Sequence, residues 1–135
     1  MKQTLPLLIT ALLLGAGNVH AAWTRAGEND DMVVYADNTT VQRTGTLARL
    51  WQLNNLKAER STAVTMSAGE WYSSVRLHLE YDCAAEKARI LAFVAHTAPM
   101  GGGKVVLDDK EVQAWSAITR DPIYVALYKM ACNNP

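Results

Sequence analysis

Trp71-Tyr72-Ser73-Ser74-Val75-Arg76-Leu77-His78-Leu79-Glu80-Tyr81-Asp82-Cys83 is the stretch that decides the fold. Val75, Leu77, Leu79, Tyr81 and Cys83 share one parity, while Ser74, Arg76, His78, Glu80 and Asp82 share the other. Successive side chains of a strand point to opposite faces, so a period of two this long predicts a half-buried β-strand with one apolar and one polar face. Cys83 falls on the apolar parity, which sends its sulfur toward the core side of the sheet. A disulfide partner must then lie on that side.

Downstream, Ala88 to Thr97 reads as a second strand, apolar on both faces, with Phe93 and Leu91 opposed to Ile90 and Val94. That pattern suits an inner strand. Pro99-Met100-Gly101-Gly102-Gly103 reads as a flexible glycine loop, and Lys104 to Leu107 as a short strand. Val112 to Ile118, with Trp115, is a further strand candidate. Asp121-Pro122 combines an N-cap residue with proline at the first helical position, so a helix is expected from Pro122 to Ala131. The face carrying Cys132 would also hold Tyr124, Val125 and Tyr128.

Upstream, Met32 to Ala36 is β-rich, Asp37-Asn38 reads as a turn, and Thr39 to Thr44 as another strand closed by Gly45. Leu47 to Leu53 sets Leu47, Arg49, Trp51 and Leu53 against Ala48, Leu50 and Gln52, as expected of a strand covered in part on both sides. Asn54 to Gly69 has the weakest pattern and reads as a turn, an irregular strand and a loop. Together these elements predict an α+β fold: an antiparallel sheet of about five to seven strands, with a short C-terminal helix on its apolar face.

The N-terminus places Lys2 before an apolar run, Leu5 to Leu14, and a small-residue site, Val19-His20-Ala21. This is the pattern of a secretory signal peptide, and the run is half the length of about twenty residues that a membrane span needs. Cleavage is expected after Ala21. The site has no cysteine to accept a lipid, so the expectation is a periplasmic or secreted protein without a membrane anchor. Of 135 residues, removing 21 leaves 114 (residues 22–135), enough for one domain. The 13 basic residues fall to 12 with the loss of Lys2 and the 13 acidic remain, a net charge of −1, which gives no basic excess for nucleic acid or an anionic membrane surface.

Cys83 and Cys132 are the two cysteines of the chain. In an oxidising compartment they can form only one bridge, and closing about fifty residues would contribute roughly 4 kcal/mol in the chain-entropy account. The alternative is two buried thiols that pack as small apolar groups.

Catalytic and metal-binding signals are weak, so no enzyme, cofactor or metal is expected. Neither His78 nor His96 has a metal-ligand partner at a recurring spacing. Met100-Gly101-Gly102-Gly103-Lys104 resembles a phosphate loop but leads into a strand rather than a helix. Glu28-Asn29-Asp30-Asp31 and Asp108-Asp109-Lys110-Glu111 lack the calcium-loop pattern and read as solvated turns. No serine lies in a nucleophile elbow. Trp23, Trp51, Trp71 and Trp115 could form a stacking platform, although core packing is the simpler assignment.

The order of features resembles the surface-adhesin protein E family of Gram-negative bacteria. These are the signal peptide, an early tryptophan-containing β region, Tyr72-Ser73-Ser74-Val75-Arg76 running to Asp82-Cys83, the glycine loop, Trp115, and a helix ending Ala131-Cys132. The resemblance implies a bent antiparallel sheet whose concave side carries a helix tied by the disulfide. It implies a non-enzymatic, adhesin-like binding role toward host extracellular matrix or serum proteins, or toward an envelope protein. A periplasmic protein that binds a small ligand, or an envelope accessory protein, is the alternative. A tryptophan-lined pocket would be its sign.

The candidate binding face is the polar side of the strand: Ser74, Arg76, His78 and Glu80. Arg76 is the best anchor, because a guanidinium pairs bidentately with carboxylates and stacks on aromatic rings. The plain alternative is an ordinary solvated face.

Overall fold

The computed structural model describes residues 22–64 and 69–133. The expected signal peptide and its cleavage site lie outside these residues. Among these residues seven strands form one sheet: β1 (Trp23–Glu28), β2 (Met32–Thr44), β3 (Leu47–Ser61), β4 (Trp71–Asp82), β5 (Lys87–His96), β6 (Val105–Asp109) and β7 (Ser116–Ala117). One α-helix among them, α1 (Pro122–Cys132), follows. The sheet is an antiparallel meander in the order β1-β2-β3-β4-β5-β6, and β7 pairs with the start of β5.

The alternation read from β4 sets the two faces. Val75, Leu77, Leu79 and Tyr81 are buried, and so are Ala48 and Leu50 of β3 and Val34 and Ala36 of β2. Residues directly opposite in an antiparallel pair share a face, and these pairings (Leu50 with Leu79, Ala48 with Tyr81) bring them to one side. The helix packs on that side through Ile123, Leu127 and Ala131, spaced four apart. The buried stripe is therefore offset from the expected Tyr124, Val125 and Tyr128 face, and Tyr124 is half exposed. Tyr128 still turns inward: its ring meets Tyr81 edge-on, and its hydroxyl donates to the Cys83 carbonyl at 2.7 Å.

Both helix ends are fastened by side chains. The Asp121 carboxylate accepts from the Ile123 amide at 2.8 Å, with Pro122 at the first position, as the sequence predicts. At the other end the Arg43 Nη1 donates to the Cys132 carbonyl at 2.6 Å, placing a cation where the helix dipole favours one. Cys83 and Cys132 are joined in a disulfide with Cα atoms 5.7 Å apart. Gly27 passes close under the helix, since a Cβ there would come within 2.8 Å of the Ile123 Cγ1.

Several local expectations change. Asp37-Asn38 does not end a strand. The Asp37 side chain accepts from the Thr39 amide at 2.9 Å, and the Thr40 hydroxyl bonds both the Asp37 carbonyl and the Trp51 amide, so the Asx turn is absorbed as a bulge within β2. β3 runs to Ser61, with a register break after Asn55, where an irregular segment was expected. In β5, Leu79 pairs with Ile90 while His78 pairs with Ala92, which leaves Leu91 as a bulge. Ile90 and Phe93 therefore fall on the same helix-bearing face rather than on opposite ones. Val112 to Ile118 contributes only the two residues of β7.

Candidate functional site

The other face of the sheet carries Ser74, Arg76, His78 and Glu80, as β4 parity requires, but it does not expose them equally. Ser74 and Glu80 are fully buried, whereas Arg76 and His78 are partly exposed. Exposure along this row is therefore uneven, and each burial has a local cause.

Ser74 is covered by the glycine loop. Its hydroxyl donates to the Ala98 carbonyl at 2.7 Å and accepts from the Gly101 amide at 2.9 Å, while the Asn55 side chain accepts from the Met100 amide at 2.9 Å. A short 3-10 turn at Pro99–Gly101 results, pinned on the sheet rather than loose. Gly101 takes a positive φ of 71° there, and a Cβ on it would lie 3.3 Å from the Arg76 Cδ.

Glu80 is covered by two arginines from the flanking strands. Arg49 of β3 donates through Nε to Oε2 at 2.7 Å, and Arg89 of β5 through Nε and Nη2 to Oε1 at 2.9 and 2.6 Å. Register dictates this, because Glu80 stands opposite Arg49 on one side and Arg89 on the other. Burial alone would raise the Glu80 pKa, and the two guanidiniums outweigh it, leaving the carboxyl below its ordinary value. Arg89 in turn lies over the Trp115 ring, 4.4 Å from its centroid.

Between these covered ends lies a stack. The rings of Trp51 and His78, directly opposite on β3 and β4, are 4.6 Å apart and 6° from parallel. The Arg76 guanidinium lies 5.2 Å from the Trp51 centroid, and its Nε donates to the His96 Nε2 at 2.9 Å. His78 is held below its ordinary pKa by burial first and by Arg49 second, with Glu80 opposing. His96 is lowered by burial and then by Arg76. Both imidazoles are thereby biased toward the neutral form at neutral pH. Arg76 has no carboxylate partner among the described residues.

None of the four tryptophans belongs to the hydrophobic core, so core packing is not their role. Trp71 is 60% exposed, and Trp51 and Trp115 each lie against a guanidinium. Arg49, Trp51, Arg89, His96 and Trp115 were not singled out for this face from sequence. Trp51 and Arg49 shared a parity that was legible, but their meeting with His78 and Glu80 depends on strand register. Among the described residues no three His, Cys, Asp or Glu side chains are grouped to hold a metal ion, and no helix is long and apolar enough to cross a membrane.

A disulfide-pinned helix thus covers one face of the antiparallel sheet, and the arginine and aromatic stack lies on the other. The chain belongs to the surface-adhesin protein E family, which it matches over residues 23–133. Its fold is similar to that of Haemophilus influenzae protein E. Crystal form II of that protein superposes with a TM-score of 0.66 at 15% identity, covering 87% of this chain and 91% of the other. Protein E from non-typeable Haemophilus influenzae gives 0.63 at 16% identity, covering 87% and 80%. No curated protein matches by sequence.

Proposed function

We propose that the chain is exported, is cleaved after Ala21, and acts in the periplasm or outside the cell as a non-enzymatic adhesin that binds host matrix or serum proteins through its open face. Family membership supports the adhesin role. The observation that carries the docking site is Arg76, which is laid against Trp51, oriented by His96, and has no carboxylate partner among the described residues. Arginine and tryptophan dominate binding energy at protein interfaces, because each combines a large contact surface with directional bonding. A partner presenting a carboxylate beside an aromatic or planar group would complete the stack: the carboxylate would take the free guanidinium nitrogens and the ring would extend the Trp51 and His78 pile.

Ser74 and Glu80 serve this face from below. Ser74 fixes the glycine loop at one end, and Glu80 holds Arg49 and Arg89 in place. Saturable binding of the mature protein to at least one of a panel of immobilised matrix and serum proteins is the expected result. Surface labelling with fractionation should find the mature protein accessible from outside. No binding to any of the panel would overturn the host-binding reading, and confinement to the periplasm with it would leave an internal periplasmic role.

A further inference from the structure

The helix covers only part of its face of the sheet. It packs on β1 to β4, and the rest of that face, over β4 and β5, forms a groove of about 510 Å³ between Tyr124 and the segment around β7. Leu77, Leu79, Ile90 and Ile118 give it an apolar lining; Gln52, Asn54 and Gln113 add carboxamides, and that of Gln113 donates to the Glu111 carbonyl at 3.3 Å. The volume lies within the range of small-ligand sites, roughly 300–1,000 Å³.

The bonded pair Gln52 and Asn54 specifies what it would hold. Gln52 is only 3% exposed, and its Nε2 donates to the Asn54 Oδ1 at 2.6 Å. That bond leaves the Gln52 Oε1 and the Asn54 Nδ2 without a protein partner among the described residues, and neither is sealed away from solvent. Turning both amides over exchanges the roles but still leaves one acceptor and one donor side by side. Water can meet these two atoms in the open groove, and a group that offers a matching donor and acceptor can take its place. The one charged residue that lines the groove, Arg89, turns its guanidinium to Glu80 on the other face of the sheet.

We infer that this groove is a second binding site, on the face opposite the arginine stack, for an uncharged, mostly apolar molecule carrying one amide-type group. The apolar body covers the leucine and isoleucine floor, and the amide donates to the free oxygen and accepts from the free nitrogen of the Gln52 and Asn54 pair.

The test is a nuclear magnetic resonance titration of the isotope-labelled mature protein with benzamide, acetophenone and benzoate, which share a ring but differ in donor and charge. Saturable shifts should appear at the Gln52 and Asn54 side-chain amides and at the Leu77 and Ile90 methyls. Benzamide should bind about fivefold more tightly than acetophenone, the worth of one hydrogen bond, and benzoate more weakly than benzamide. In Gln52→Met the benzamide preference should vanish while ring binding persists. Ser116→Trp, at the exposed rim, should block all three without disturbing the core. Equal binding of benzamide and acetophenone, shifts confined to residues outside the groove, or binding indifferent to Ser116→Trp would each overturn the assignment.

Discussion

The Arg76 guanidinium donates through Nε to the Nε2 of His96 at 2.9 Å, which ties a partly exposed cation of the proposed docking face to a buried imidazole. Accepting at Nε2 puts the ring proton on Nδ1, which is buried without a partner. Protonating His96 would remove the acceptor and set a second positive charge against Arg76.

Stability should therefore fall with acidification. The ordinary histidine value is 6.5, and both His96 and His78 are lowered from it, chiefly by burial. The unfolded chain then binds more protons than the folded one between the folded values and 6.5. The two histidines' contribution is complete above pH 6.5 and is lost as pH drops from there through their folded values. Urea midpoints measured at pH 7.5 and at pH 5 should show the drop, and His78→Gln combined with His96→Gln should flatten it. An unchanged midpoint in the parent would contradict the account.

Glu80→Gln should cost on the order of 2 kcal/mol, because it removes the charge that holds Arg49 and Arg89 while leaving both cations in place. Equilibrium denaturation gives the figure. Trp115 fluorescence should change in the same variant, since Arg89 no longer has a reason to lie over that ring.

Opening the Cys83 to Cys132 bridge should cost roughly 4 kcal/mol in the chain-entropy account, for a sequence separation of 49. Denaturation with and without reductant measures it, and mass spectrometry of the oxidised protein should find no free thiol. Two free thiols in protein from an oxidising compartment would refute the bridge.

Gly27→Ala should destabilise by about 1–3 kcal/mol, because the new methyl collides with Ile123 on the helix. Adding Ile123→Ala should make the pair cost less than the sum of the two single changes, the mark of a direct contact. Strict additivity would place the strain elsewhere.

The reach of the sequence stopped wherever register took over. The β4 alternation from Val75 to Tyr81, the Asp121-Pro122 helix start and the cysteine pair were legible because each is a local rule written in adjacent residues. The bulge at Leu91 carries no residue signature, yet it reverses the parity of Ile90 relative to Phe93. Asp37 bears the same turn chemistry in a loop and in a bulge, and only its neighbour β3 decides between them. Of the candidate binding face, the four β4 side chains could be named. The burial of Glu80 and the stacking of Trp51 could not, since their partners come from other strands.

The most direct measurement of the docking claim compares the mature protein with an Arg76→Ala, His78→Ala variant, by surface plasmon resonance on the same panel of immobilised matrix and serum proteins. Circular dichroism would establish that the variant keeps its fold. The account expects the parent to bind and the variant to lose about tenfold or more in affinity, as removal of an interface arginine commonly does. Full retention of binding by the folded variant would contradict it and move the site off the open face.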